Sequence, residues 1–220
     1  MTMGLFNLLK IKKGTPYSHE IVDQLERLGY FRYTDKNDLE ELKMEISSGL
    51  KEGHCLSTIY SDKSPYTAKE LRHYGLDGEA LFEEGGFLDC LMAIKPTFDK
   101  MGLELTFSNY VEEWDPENDW LNHRITINGK EYTIFKNFKG VGWAEAAQRF
   151  ADIINDQLRI QGTDERLYLA NGGNDGMAIF LTEKQFELLD PILKNPNERP
   201  QRIEVWCKLN MIERMPVLGE

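Results

Sequence analysis

The chain has 220 residues, with 26 Lys and Arg against 37 Asp and Glu, for a formal net charge of −11. That length supports a sizeable core without metal or disulfide staples, and 41% apolar with 11% aromatic residues excludes a disordered chain. A surface that grips nucleic acid must be basic to displace counterions, so the acidic balance disfavours that class and favours a basic protein partner.

No run approaches the roughly 18 apolar residues of a membrane span, and no integral membrane association is expected. Cys55, Cys90 and Cys207 are odd in number and far apart, which reads as reduced thiols in a cytoplasmic protein. Met1–Lys13 places its charges after its apolar part and lacks a small-residue cleavage site, unlike a signal peptide. Leu8 stands where a myristoylation start requires Ser or Thr. A frayed or docked terminal helix is the expectation there, although Lys10, Lys12 and Lys13 would also suit an anionic surface.

In chain order, residues 16–29 predict a helix with Ile21, Val22, Leu25 and Leu28 on one face and Gly29 as its stop. An aromatic connector, Tyr30-Phe31-Arg32-Tyr33, leads to a second helix over 37–49 with the stripe Leu39, Leu42 and Ile46. Cys55–Ser61 reads as a strand, and Thr67–Leu103 as mainly helical, broken at Gly75, Gly78 and Gly85-Gly86. Pro96 predicts a kink or a new turn in the last of these helices. Three strands follow at 103–111, 121–127 and 131–136, the last two joined by Asn128-Gly129, whose residues tolerate the positive φ of a type I′ turn. Residues 143–160 predict a helix with Ala147, Phe150, Ala151, Ile154 and Leu158 inward and Gly162 beyond its end. A second hairpin spans 166–170 and 177–181 around a six-residue loop. Thr182-Glu183-Lys184-Gln185 is a capping box for a helix over 183–194, and Arg202–Leu209 reads as a final strand or docked tail.

Hairpins dominate and no βαβ series is present. The expected class is α+β, with a predominantly antiparallel sheet in the C-terminal half, helices packed on one face and a helical N-terminal part. The division falls at 1–102 and 103–220, as two parts or one continuous domain.

Two acid-only stretches stand out. Val111–Trp120 holds Glu112, Glu113, Asp115, Glu117 and Asp119 with Trp114 and Trp120 between them. Acids at 115, 117 and 119 invite a calcium loop, but Trp120 occupies the required Gly position and Thr126 that of the bidentate Glu, so no metal is assigned. A solvated strand-to-strand loop is one reading, and a protein-binding surface the other, because tryptophan beside carboxylates suits a basic, partly apolar partner. Asp77–Asp89 is the second stretch, where acids near a helix start also answer to the helix dipole.

Other motifs fail in detail. Gly140-Val141-Gly142 lacks the third glycine of a dinucleotide fingerprint, having Glu145 there, and follows a hairpin strand, so it reads as a turn. His19-Glu20-Ile21-Val22-Asp23 lacks the second histidine of a zinc-protease helix, leaving His19 a surface residue. His54 and Cys55 are adjacent and would face opposite ways in a strand. No catalytic residue and no cofactor is assigned. The loop Asn171–Gly176 is longer than a tight turn needs. Asn171, Asn174 and Asp175 are candidate binding groups there, against plain turn chemistry.

The leading expectation is a non-catalytic interaction protein that binds a basic partner, as an inhibitor or antidote would. The alternatives are a hydrolase or transferase with a carboxylate-lined pocket near Glu112, Glu113 and Asp175, or a small-molecule-binding regulatory domain using the 171–176 loop. The oligomeric state is not legible.

Overall fold

A computed structural model describes residues 18–53, 70–216 and 218–219. The expectations for Met1–Lys13, for the strand Cys55–Ser61 and for the His54-Cys55 pair lie outside the described residues. The chain is α+β, its sheets are antiparallel, and its strands lie mostly in the C-terminal half.

Helix α1 (Ser18–Arg27) buries Ile21, Val22 and Leu25, and Gly29, at φ 73°, turns the chain after it. A single 3-10 turn at Tyr30–Tyr33 buries three of the four connector residues. Helix α2 (Leu39–Glu52) then lays Leu42, Ile46 and Leu50 against α1. Strand β1 (His73–Leu76) replaces the first part of the expected helical stretch. It pairs antiparallel with residues 176–179, about a hundred positions later, and a four-residue strand with a distant partner leaves no local period to read.

Helix α3 (Gly78–Glu83) starts at Asp77, whose carboxylate accepts from the Glu79 and Ala80 amides at 3.0 and 3.2 Å. Helix α4 (Gly86–Met101) continues through Pro96, so no new turn starts there. Pro96 withdraws the amide that Met92 carbonyl would use, and both residues are on the exposed side of the helix.

Strands β2 (Phe107–Asp115), β3 (Trp120–Ile127) and β4 (Lys130–Phe138) form a meander. The Asn128-Gly129 turn has φ of 49° and 78°, as the type I′ reading requires. β2 begins four residues later than expected, because Leu103 still belongs to the end of α4, its amide bonding Phe98 carbonyl. It also runs four residues further, so Glu112–Asp115 are paired strand and not loop. Helix α5 (Trp143–Ile160) matches its predicted bounds, and all five predicted inward residues are buried.

Strands β5 (Glu165–Ala170) and β6 (Gly176–Thr182) pair next, and Thr182 opens α6 (Glu183–Leu189) with both halves of the capping box formed. This helix ends near Leu189 and not at 194, because Pro191 has no amide to continue the ladder. Arg202–Leu209 is mostly helix, α7 (Ile203–Leu209), not strand. Its alternating sequence suggests a period of two, yet the buried residues are Ile203, Trp206 and Cys207, at helical spacing, while Val205 and Leu209 are exposed. Strand β7 (Leu218–Gly219) returns to pair with Tyr132 and Thr133 of β4.

The strands make two sheets, β1-β6-β5 and β2-β3-β4-β7. Successive residues of β5 and β6 enter different cores. Leu167, Leu169, Ala178 and Phe180 join the core shared with α4, α5, α7 and the four-stranded sheet. Tyr168, Ile179 and Leu181 join the core built with α1, α2 and α6. The three-stranded sheet is thus covered on both faces, which explains the unbroken apolar run Met177–Leu181, and the four-stranded sheet carries helices on one face.

An ion pair ties the α1–α2 layer to this sheet. Glu165, 0% exposed, accepts from Arg72 at 2.9 and 3.0 Å, from the Tyr33 hydroxyl at 3.0 Å and from Arg32 at 2.5 Å. Arg72, 1% exposed, also donates to the carbonyls of Gly29, Tyr30 and Phe180 and lies over the rings of Tyr30 and Tyr33. Burial alone would raise the Glu165 carboxyl. The Arg72 charge and hydrogen bonds, helped by Arg32 and Tyr33, outweigh it and hold the group below its ordinary range. Removing one member strands the other in the interior. Glu165→Gln is therefore expected to lower unfolding free energy by about 3 kcal/mol in urea, whereas the double change Glu165→Leu with Arg72→Met should lose less than the sum of its single changes. Additive losses would show that the two groups are not energetically linked.

Candidate functional site

The register of β2 and β3 sorts the acid run onto two faces, because directly paired residues share a face of the sheet. Glu112 opposes His123 and Trp114 opposes Leu121, and His123 and Leu121 are both buried under the helices. Glu112 and Trp114 therefore leave the helix-covered side. Glu113 opposes Asn122 and Asp115 opposes Trp120, so these leave the open side. The run that reads as one acidic stretch is split by strand parity.

Asp115 is used by the turn itself. Its carboxylate accepts from the Glu117 and Asn118 amides at 3.0 and 3.1 Å and from the Asn118 side chain at 2.8 Å, and these bonds lower its pKa, the Asn118 side chain contributing most. Asp119, at φ 61°, completes the turn, and Glu117 is exposed at its tip. Trp120 is half-buried with Lys139 5.4 Å above its ring, while Trp114, paired with Leu121 near the end of β2, is 47% exposed.

Glu112 connects this hairpin to the second acid stretch. One of its oxygens accepts the Gly85 amide at 3.2 Å, between α3 and α4, and the Tyr110 hydroxyl as well. Tyr110 is half-buried and hydrogen-bonded to a carboxylate, with the charges of Glu112 and Asp89 close by, and all of this raises its phenol well above the ordinary value, the loss of solvent most of all. Glu83, Glu84 and Asp89 are exposed around the same corner. Among the described residues, no ion pair engages these acids or those of the hairpin.

The 171–176 loop stands at the other end of α3. Asn174 donates to Glu79 at 3.1 Å, Asn171 spans the loop to the Asp175 carbonyl at 3.0 Å, and the Asn171 carbonyl accepts the Trp206 indole. The six residues of α3 set the two regions about 9 Å apart along the helix axis. The asparagines are thus engaged in turn and docking contacts. Glu112 and Glu113 leave opposite faces of β2, and Asp175 lies in the turn between β5 and β6. Two cavities among the described residues are lined elsewhere, by residues of β4, α5, β5, α6, α7 and the C-terminal segment.

His123 lies beneath the acidic corner and was not singled out by any motif. It is 1% exposed, its ring is 5.1 to 6.3 Å from those of Tyr110, Phe87 and Phe135, and neither nitrogen has a hydrogen-bond partner. Its alternation with Leu121 and Ile125 marked it as inward-facing in the sequence. The same parity would have separated Glu112 and Trp114 from Glu113 and Asp115, had the register been known.

Comparisons with protein-family models, with curated proteins and with solved structures gave no match.

Burial pushes His123 down to about 4, so the ring is neutral in the folded protein and protonates more readily once unfolded. The unfolded chain then binds more protons between an unfolded value near 6.5 and the folded value near 4, and stability falls as pH falls through that window. His123→Phe removes this contribution. Its stability advantage over the parent, read by urea unfolding, should grow by up to about 3 kcal/mol between pH 8 and pH 4. A constant difference across that range would mean that the ring is already paired or solvated.

Proposed function

We propose that this chain is a non-catalytic cytoplasmic interaction protein whose acidic corner binds a basic, partly apolar protein partner, in the manner of an inhibitor or antidote. The observation that carries the reading is the Glu112–Gly85 hydrogen bond. It joins the two acid stretches at one corner, beside the exposed indole of Trp114.

The chemistry suits such a partner. Carboxylates without counterions among the described residues keep their field for an incoming cation, which raises association rate and fixes orientation. A large ring with an apolar body supplies contact area, and such rings dominate interface energetics. The relevant surface is narrower than the full acid run. It comprises Glu112 and Trp114 with Glu83, Glu84 and Asp89, while Glu117 and Asp119 extend it at the hairpin tip. Glu113, Asp115 and Trp120 belong to the open face of the sheet, and the asparagines of the 171–176 loop border the far end of α3.

The test is capture of the partner by tagged chain from native lysate at about 50 mM and about 500 mM salt, followed by titration of the purified pair. One stoichiometric basic protein, lost at the higher salt, is expected. Trp114→Ala should weaken it by more than roughly tenfold while the melting temperature stays nearly constant, because the indole is half exposed. A partner indifferent both to salt and to this substitution would sink the proposal.

A further inference from the structure

A cleft of about 550 Å³ opens along the free edge of β5, between α5, β4 and the C-terminal segment. That volume suits a small organic ligand. Its walls carry the opposite charge to the molecule. Four cations, Lys130, Arg159, Arg166 and Arg214, face two carboxylates, Asp152 and Asp156, a surplus of two in a chain of net charge −11.

The carboxylates hold the cations in place. Asp156 accepts from Lys130 at 2.8 Å, Arg159 at 2.6 Å and the Tyr132 hydroxyl at 2.7 Å. Asp152 accepts from Arg214 at 2.5 and 3.2 Å. Burial alone would raise Asp156, but the bonds from Lys130, Tyr132 and Arg159 outweigh it and hold the group at about 2, so it stays ionised.

Arg166 differs from the other cations. Its guanidinium donates to the carbonyls of Thr163 and Glu165 at 2.8 and 2.6 Å, and no described carboxylate pairs with it. It is held at the cleft by its neighbour Leu167, whose amide and carbonyl are both clamped by the Asn155 side chain of α5 at 2.7 and 2.9 Å. Arg166 also lines an adjoining cavity of about 280 Å³, where Arg202 stands with Glu183 and Glu204. Over both cavities it remains the cation left over after pairing, since Arg202 bonds Glu183 and Arg214 also bonds Glu204.

We infer that this cleft binds the dianionic phosphoryl group of a small soluble ligand, with Arg166 as the principal contact and Arg159 and Lys130 completing the charge. A planar guanidinium matches phosphate oxygens bidentately, and a phosphate monoester carries about −1.5 to −2 at neutral pH, so it draws more strongly on Arg166 and the cations beside it than a single negative charge does.

The test titrates the full chain in low-salt Tris chloride with inorganic phosphate, glucose 6-phosphate, glucose and acetate, followed by calorimetry and by the NMR signal of the Asn155 side-chain amide. Saturable binding of either phosphate, with glucose silent and acetate at least roughly tenfold weaker, is expected. Preference between the two phosphates tells whether the free ion or an ester is the natural source. Arg166→Gln should weaken phosphate by more than roughly tenfold. Arg159→Gln, at an exposed position that leaves folding intact, should weaken it several-fold. The inference is overturned if neither phosphate saturates in the millimolar range. It is also overturned if acetate binds as well as phosphate, or if both variants bind phosphate like the parent.

Discussion

A guanidinium cannot be taken out of water without partners for its charge and its donors, and Arg72 is fully enclosed. Its partners are the Glu165 carboxylate on β5, the Phe180 carbonyl on β6, and the Gly29 and Tyr30 carbonyls at the end of α1. One side chain thus fixes the distance and rotation between the first helical layer and the three-stranded sheet. The apolar contacts of Tyr168, Ile179 and Leu181 with α1 and α2 supply most of the attraction, since area burial has no preferred direction. The ion pair supplies direction. It also ties together residues distant in the chain, Arg72 and Glu165 being 93 positions apart and Arg32 and Glu165 133.

Glu70 adds a second consequence of the same enclosure. It is buried beside Arg72 and accepts that residue's amide at 2.8 Å, yet its other oxygen has no hydrogen-bond partner. Burial pushes its carboxyl up to about 7 against the opposing pull of Arg72, whose charge is already shared with Glu165. A carboxyl raised in this way favours the folded state below its unfolded value and withdraws that support as pH rises toward 7, the reverse of the His123 contribution. The two partly offset each other in the weakly acidic range, which flattens the response that either would produce alone.

What was legible in the sequence was local. Asn128-Gly129, the Thr182 capping box and the amphipathic stripe of α5 each state their structure within a few residues, and each formed as read. The elements that differed depend on distant partners. β1 is a strand because β6 offers it an edge, and α7 is a helix because Ile203, Trp206 and Cys207 face a common wall that the alternating sequence does not announce. The acid run was legible as composition and not as a surface, since β2 pairing divides it between two faces. The cleft was illegible for the same reason. Its cations sit at positions 130, 159, 166 and 214, each unremarkable beside its own neighbours, and only the packing of α5 against β4 and β5 assembles them.

Charge segregation is the feature that links the two surfaces. Exposed ion pairs are worth little, so stability alone gives no reason for the acids around Glu112 to have no counterion among the described residues while Asp156 gathers three donors. Concentrating like charge is mildly unfavourable, because each carboxylate raises the cost of ionising its neighbours. The β5 edge shows how the opposite arrangement is built. Its outward backbone groups are satisfied by Asn155 at Leu167 and by Gln201 at Leu169, which closes the strand to further pairing. With the backbone sealed, only side chains remain to meet a visitor there, and they are predominantly cationic. At the opposite sign, the corner between α3 and β2 also has its backbone engaged, Gly85 amide with Glu112, and presents carboxylates and an indole. The two surfaces of opposite charge share no side chain, so the proposed basic partner and small anion would not compete for the same groups. Neither surface consumes a residue of the Arg72–Glu165 ion pair that holds the layers together.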